Sequence, residues 1–168
     1  MSYVPQTVDV AIVGAGAAGL VTAVFTARCN PGLSIVAFDG ARRLGAKILV
    51  SGGGRCNVTN IRVEPTDFFG GSPHVVRRVL AAFPPDQTID FFREIGVLLH
   101  EEEDGKLFPA SNRARTVVEA LLREAERLGI RLLTGQRVAG LARHGELFEL
   151  CATAAGGAPD VTATMHAR

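Results

Sequence analysis

The apolar and polar positions at the start of the chain predict a strand, a helix and a second strand. Val8–Val13 is a short, largely β-branched apolar run that ends at a glycine, which is typical of a buried strand. Ala17–Arg28 is alanine-rich and predicts a helix, and Leu33–Phe38 predicts the next strand. A strand, a glycine turn, a helix and a strand form a βαβ unit, which implies a parallel sheet.

Two helices, a hairpin, a long helix and a group of strands are predicted in the rest of the chain. The first two helices cover His74–Phe83 and Gln87–Ile95, and Asp104-Gly105 is typical of a hairpin turn. The long helix carries an apolar face that includes Val117, Leu121 and Leu128. The strands that follow are Ile130–Thr134, Gln136–Ala142, Glu146–Thr153 and a last one starting within Val161–Met165. We therefore predict an α/β Rossmann-like fold with three layers, a parallel sheet and a small β-hairpin or meander.

Composition restricts the class of protein. The chain has 168 residues, of which 47% are hydrophobic and 21% charged, so it is globular. The formal net charge of +1 is spread along the chain, without the basic stripe that nucleic-acid binding favours. The uncharged run Val10–Ala27 is interrupted by glycines and follows Asp9, which argues against a membrane span or signal peptide. We expect a cytoplasmic protein without a nucleic-acid or membrane partner.

The three cysteines carry no metal or disulfide signature. Cys29, Cys56 and Cys151 are an odd number without a CxxC pair, so we predict reduced thiols and no metal site. Cys56 adjoins an arginine, which can lower a thiol pKa, yet no resolving cysteine is near in sequence. A packed structural thiol is the favoured interpretation of Cys56. The acidic run Glu101–Asp104 and the scattered histidines are interpreted as solvated side chains.

The first glycine motif is typical of dinucleotide binding. Gly14-Ala-Gly16-Ala-Ala-Gly19 is a GxGxxG sequence that follows a predicted strand and opens a predicted helix. Gly14 permits a tight turn, Gly16 lets the backbone approach a pyrophosphate, and Gly19 lets helix and strand pack closely. Asp39 ends the second strand, where a carboxylate accepts hydrogen bonds from a ribose. Glycines that merely pack a helix on a sheet are the alternative.

The second glycine motif is Ser51–Asn60, with the sequence SGGGRCNVTN. Three adjacent glycines indicate a backbone that bends tightly or approaches another group closely. Together, LGAKILVSGGGRCNVTN, the GAGAAGL start and DGKLFPASNRARTVVEALL resemble the signature of the BaiN-like flavoproteins. This family of NAD(P)/FAD-dependent oxidoreductases includes enzymes described as aminoacetone oxidases and bile-acid 4,6-reductases. The resemblance covers nearly the whole chain.

The resemblance implies FAD as the cofactor, with NAD(P)H as a possible co-substrate, and a small-molecule substrate. It places the GxGxxG glycines on the pyrophosphate, Asp39 on the adenosine ribose and Val138 near adenine. The loop Ser51–Asn57 would lie along the cofactor near its phosphates and flavin end. The candidate cofactor-binding residues are Gly14, Gly16, Ala18, Gly19, Asp39, Lys47, Ser51, Gly52, Gly53, Gly54, Arg55, Cys56, Asn57 and Val138. Asp39 is shorter than the glutamate usual in the family, and Ala46 replaces a frequent basic residue. No catalytic residue is predicted.

Two other interpretations are open. The chain would be a nicotinamide-only dehydrogenase if the GxGxxG motif acted alone, although such a domain does not need the SGGGRCN loop. It would be a non-catalytic nucleotide-binding fragment if no second domain completed the flavin site. Members of the family are longer, so we expect residues 1–168 to form one incomplete FAD-binding domain. Such a domain is expected to be inactive by itself.

Overall fold

The computed structural model describes residues 6–154 and 163–167. These residues form two compact units. Unit 1 contains the chain up to Lys47 and the chain from Leu121 onward, whereas unit 2 contains Ile48–Ala120. The prediction of a single domain over the whole chain stays a prediction. Among the described residues, no helix is both long enough and apolar enough to cross a membrane.

The parallel sheet of unit 1 contains three strands. They are β2 (Val10–Val13), β3 (Ile35–Asp39) and β7 (Arg131–Thr134), in the order β2-β3-β7. Both pairings are parallel, and helix α1 (Ala17–Cys29) connects β2 to β3. β3 is central, and its residues from Ile35 to Phe38 are buried, as expected for a strand covered on both faces. The predicted βαβ unit is confirmed.

The predicted strand Val8–Val13 is wrong as a single element, because it is divided at Asp9. β1 (Gln6–Val8) belongs to a second sheet, whereas β2 belongs to the parallel sheet. The Asp9 carboxylate accepts hydrogen bonds from the backbone N–H of Ser34, at 2.9 Å, and from its hydroxyl, at 2.6 Å. The backbone N–H of Asp9 in turn donates to Ser34. These polar contacts replace strand pairing at Asp9 and let the chain change sheets.

The second sheet of unit 1 has the order β1-β10-β9-β8. β8 (Gln136–His144) and β9 (Leu147–Ala154) form an antiparallel hairpin, with an irregularity between Val138 and Gly140. β10 (Ala163–Ala167) pairs with β9 and, in parallel, with β1. It lies where a last strand was predicted, although Val161 itself is outside the described residues. One cluster of buried apolar side chains joins both sheets and contains Val8, Val36, Phe38, Leu150 and Ala152.

Helix α5 (Ala114–Arg127) contains a buried glutamate, Glu124, that contacts α1. Glu124 is only 7% exposed, and its carboxylate accepts hydrogen bonds from Arg28 of α1 and Arg127 of α5. The pKa of Glu124 is lowered to about 2, chiefly by the hydrogen bonds from Arg127 and then by Arg28, against the opposing effect of burial. The ion triad therefore fixes α1 beside α5 within unit 1.

Unit 2 is built of short elements. Its strands are β4 (Thr59–Asn60), β5 (Leu99–Glu101) and β6 (Lys106–Pro109), in the antiparallel order β4-β6-β5. Its helices α3 (Pro73–Ala82) and α4 (Pro85–Glu94) follow the predicted pattern. The short helix α2 (Ala46–Val50) leads into a 3-10 turn at Ser51–Gly54. The predicted hairpin at Asp104-Gly105 is confirmed by the pairing of β5 with β6.

Candidate cofactor site

The first glycine turn lies between β2 and α1 in unit 1. Gly14 has φ +95°, a conformation that glycine adopts without strain, and its N–H donates to the Phe38 carbonyl at 2.8 Å. Helix α1 begins at Ala17, and no side chain in the described part of the protein caps its N-terminus. Its first N–H groups are therefore free to bind an anion, which the helix dipole also favours.

Gly16 and Gly19 lack side chains for different reasons. A Cβ atom on Gly19 would overlap the Gly14 carbonyl oxygen and lie 3.5 Å from the Ile12 side chain. A Cβ atom on Gly16 would meet nothing within 4 Å, and Gly16 has an ordinary φ of −74°. Gly19 is therefore needed for packing inside unit 1, whereas Gly16 leaves open space above the end of the helix. Ala18 lies exposed in the first turn of that helix.

Asp39 fixes the glycine turn from the end of β3. Its Oδ2 accepts a hydrogen bond from the backbone N–H of Ala15 at 2.9 Å. Its Oδ1 accepts one from the backbone N–H of Ala41 at 2.8 Å. Each carboxylate oxygen retains a further lone pair that can accept from a hydroxyl group. The structure thus places Asp39 next to the GxGxxG turn, and its predicted contact with a ribose stays a prediction.

The two remaining candidates of unit 1 are Val138 and Lys47. Val138 is partly buried, and its side chain packs against the core cluster that contains Phe38 and Leu150. Only its backbone, beside the irregularity in β8, is suited to ligand contact. Arg137 next to it packs beside Gly40, directly after Asp39. Lys47 is exposed in α2.

The second glycine loop, in unit 2, has an unusual run of left-handed residues. Gly52, Gly53 and Gly54 have φ values of +54°, +68° and +86°, and Cys56 has φ +66°. A Cβ atom on Gly52 would lie 2.9 Å from both the Asn57 nitrogen and a ring carbon of Phe108. One on Gly53 would meet nothing within 4 Å. Gly52 is therefore required inside unit 2, whereas Gly53 presents bare backbone to open space.

Ser51 and Cys56 contribute hydrogen bonds and packing to the same loop. The Ser51 hydroxyl donates to the Ile48 carbonyl at 2.8 Å, and the Ser51 carbonyl accepts from the Cys56 N–H at 3.0 Å. Cys56 is 7% exposed, and burial raises its thiol pKa, opposed in part by a hydrogen bond with Ser51. A protonated, buried thiol is a poor nucleophile. This favours the packed structural interpretation of Cys56.

Arg55 forms an ion pair that the sequence does not reveal. Its Nη1 lies 2.5 Å from Oε1 of Glu102, and its guanidinium lies 4.2 Å from the ring centroid of Phe108. His100 Nε2 lies 3.2 Å from the same oxygen of Glu102. Desolvation opposes ionisation of Glu102, but hydrogen bonds from His100 and Arg55 outweigh it and lower the Glu102 pKa. Glu102 is therefore a partly exposed acid that also pairs with Arg55, because it directly follows β5 in the β5–β6 hairpin.

Comparisons with known proteins identify the family. The protein-family model described as the HI0933-like protein Rossmann domain matches residues 8–164 of the chain. The chain belongs to this family. The predicted family and the predicted Rossmann-like, FAD-binding fold class are thereby confirmed. Among the described residues, no cluster of side chains suited to a metal ion occurs.

Two curated relatives and one solved structure show the range of the HI0933-like family and its fold. The chain is 39% identical to the ribosomal RNA dihydrouridine synthase of Haemophilus influenzae, over 79% of this chain and 32% of that protein. It is 34% identical to the 3-dehydro-bile acid delta(4,6)-reductase of Clostridium scindens, over 83% of this chain and 34% of that protein. The 3-ketosteroid-delta4-(5alpha)-dehydrogenase of Rhodococcus jostii RHA1 superposes with a TM-score of 0.69 at 14% identity, over 100% of this chain and 45% of that chain. This last likeness shows the fold alone.

The HI0933-like chain spans about a third of the length of these curated relatives. One relative is named for ribosomal RNA, so the comparisons give no support to the expectation that nucleic acid is excluded as a partner. The assignments of individual residues to cofactor atoms stay predictions.

Proposed function

We propose that this chain forms the FAD-binding part of an oxidoreductase that reduces a carbon–carbon double bond conjugated to a carbonyl group. The observation that carries the cofactor assignment is the turn from Gly14 to Gly19. It combines an uncapped helix N-terminus, open space above Gly16 and a carboxylate, Asp39, hydrogen-bonded to the turn itself. This combination suits a dinucleotide with a pyrophosphate and a ribose.

The residues of the chain would bind and orient the cofactor. The N–H groups at the start of α1 would donate to the pyrophosphate, and Asp39 would accept from ribose hydroxyls. The backbone at Val138 would contact adenine, and the bare backbone at Gly53 would lie along the cofactor. When bound, FAD supplies two-electron hydride chemistry, and the protein positions it and excludes competing reactions.

The reaction class is proposed from what the names of two relatives have in common. A dihydrouridine is a uridine whose ring double bond has gained two hydrogens, and a delta(4,6)-reductase acts on double bonds of a steroid ring system. In a uracil ring this double bond is conjugated with a carbonyl group. In such a reaction a hydride adds to the carbon far from the carbonyl, and a proton from solvent adds to the nearer carbon. We propose NAD(P)H as the source of the hydride.

The cofactor proposal is tested with a glycine substitution that unit 1 can accommodate. In the protein as its gene encodes it, Gly16→Ala places a methyl group in open space at an ordinary φ, so folding should be preserved. The same methyl group would obstruct a pyrophosphate, and FAD affinity should fall at least about tenfold, equal to about 1.4 kcal/mol. Gly71→Ala is the matched control, because its methyl group would make an ordinary contact of 3.6 Å with Val76.

The absorbance of the purified protein measures the retained FAD. Wild-type FAD retention with loss in Gly16→Ala alone supports the proposal. Equal retention in both variants, or binding of NADH without FAD, would refute it and favour the nicotinamide-only alternative. The reaction class is then tested by supplying NADPH with either unmodified ribosomal RNA or a steroid 4,6-dien-3-one. Reduction of neither substrate would show that the proposed reaction is wrong.

A further inference from the structure

A cavity of about 450 Å³ in unit 2 lies beside the loop that contains the three glycines. It is lined by Arg55, Glu102, Glu103, Lys106 and Phe108. We infer that this cavity binds the carbonyl–NH–carbonyl edge of a uracil ring. The inference rests on the proposed function and names the substrate that the proposed reaction would take.

The charges of the lining favour an uncharged polar ligand. Arg55 and Lys106 are cations and Glu102 and Glu103 are anions, so their formal charges cancel. A phosphate or carboxylate would gain little from such a lining, because the two acids would repel it. A steroid nucleus would cover four charged groups with hydrocarbon and leave them without water, which is costly. A flat ring with both acceptors and a donor can satisfy the groups that it covers.

The hydrogen-bonding groups match the edge of uracil. That edge presents a carbonyl, an N–H and a second carbonyl. Arg55 uses Nη1 for Glu102, and its remaining N–H groups can donate to a carbonyl. The ammonium group of Lys106 makes an exposed contact with Asp104, at 3.2 Å, so it can turn toward a ligand. Glu103 offers a carboxylate to accept from the ring N–H.

The same groups would assist the proposed reaction. When a hydride adds to the ring carbon far from the carbonyl, negative charge develops on that carbonyl oxygen. A cation donating a hydrogen bond to the oxygen stabilises this charge, and the proton that completes the reduction comes from solvent. Arg55 is suited to this role, because Glu102 and the Phe108 ring hold its guanidinium in a defined place.

The cavity and the glycine loop are parts of one structure. Arg55 belongs to the loop and to the cavity wall, and Phe108 of the wall lies so close to Gly52 that no side chain fits between them. A ring bound in the cavity would therefore lie next to the loop that we propose for the cofactor.

Two variants and a control test this assignment in the FAD-loaded protein as its gene encodes it. Lys106→Ala removes one donor, and Glu103→Gln removes one carboxylate. Glu101→Gln is the control, because Glu101 belongs to the same acidic run but does not line the cavity. The probes are two RNA pentanucleotides that differ only in their central base, uridine or cytidine, so that phosphate contacts are equal in both. Binding is measured by equilibrium dialysis.

The wild type and Glu101→Gln should bind the uridine probe about tenfold more tightly than the cytidine probe, because cytosine presents an amino group in place of one carbonyl. Glu103→Gln should lose most of this preference, because a glutamine amide can also donate to the ring nitrogen of cytosine. Lys106→Ala should weaken the binding of both probes by a similar factor, because Lys106 would donate to the carbonyl that the two bases share. Equal binding of the two probes by the wild type, an unchanged preference in Glu103→Gln, or unchanged binding of both probes by Lys106→Ala would overturn the inference. Retained FAD and reduction of the steroid dienone in the same preparation would assign that failure to the cavity alone. A wild type without FAD would instead count against the proposed function.

Discussion

Replacing Glu124 by glutamine should destabilise unit 1 by removing the charge that two arginines share. Glu124 is 7% exposed, and Arg28 and Arg127 donate four hydrogen bonds to its carboxylate at 2.7 to 3.0 Å. The glutamine side chain keeps the shape but loses the negative charge. The two arginines then lose the carboxylate that they share, at the place where α1 and α5 meet.

The pKa of Glu124 limits the size of this effect. It falls from 4.5 to about 2, and each pKa unit corresponds to about 1.4 kcal/mol, so ionisation stabilises the folded state by at most about 3 kcal/mol. The arginine side chains are 26% and 64% exposed, so water can partly replace the lost contacts. We therefore expect Glu124→Gln to lower the free energy of unfolding by about 1–3 kcal/mol at pH 7.

The pH dependence separates this electrostatic effect from a packing defect. The folded-state pKa is lowered, so the stabilisation is fully present above about pH 4.5 and is lost as the pH falls toward about 2. Urea unfolding at pH 7, 4 and 2.5, followed by circular dichroism, should show a difference between wild type and variant that shrinks with pH. Glu126→Gln, at an exposed position of the same helix, should change stability by less than about 0.5 kcal/mol. A destabilisation that persists at the lowest pH, or none at pH 7, would refute the reasoning.

Three further predictions concern the glycine motifs and Cys56. Gly19→Ala should lower the free energy of unfolding by about 1–3 kcal/mol in urea titrations, because its methyl group would overlap the Gly14 carbonyl; wild-type stability would contradict this. Gly53→Val should abolish FAD retention, measured by absorbance, while circular dichroism changes little. A side chain at position 53 would enter open space, although φ +68° costs a branched residue about 1–2 kcal/mol. FAD binding equal to wild type would show that Gly53 is an ordinary loop residue. Cys56→Ala should leave NAD(P)H oxidation within about twofold of wild type, because a buried protonated thiol takes no part in hydride transfer; a loss of activity without loss of FAD would argue for a redox role.

The elements that the sequence predicts well are those whose signals are local. The βαβ unit and the hairpin at Asp104-Gly105 are indicated by apolar periodicity and by glycines in short stretches. The break at Asp9 depends on Ser34, which lies 25 positions away, and the ion pair of Arg55 depends on Glu102, which lies 47 positions away. Neither partner can be chosen from one sequence, because many side chains of suitable chemistry lie at similar separations. The cavity lining was missed for the same reason.

The glycines show most clearly what structure adds to a motif. In sequence, Gly16 and Gly19 are two positions of one fingerprint, and Gly52 and Gly53 are neighbours in one triplet. In the folded chain, Gly19 and Gly52 each face another part of their own unit, so a side chain there would disturb the protein itself. Gly16 and Gly53 face open space, so nothing within 4 Å in the described chain accounts for their missing side chains. Packing therefore explains one glycine of each pair, and the other is where a ligand that approaches the backbone has to be sought. This division makes Gly16 and Gly53 the positions at which loss of FAD can be separated from loss of folding.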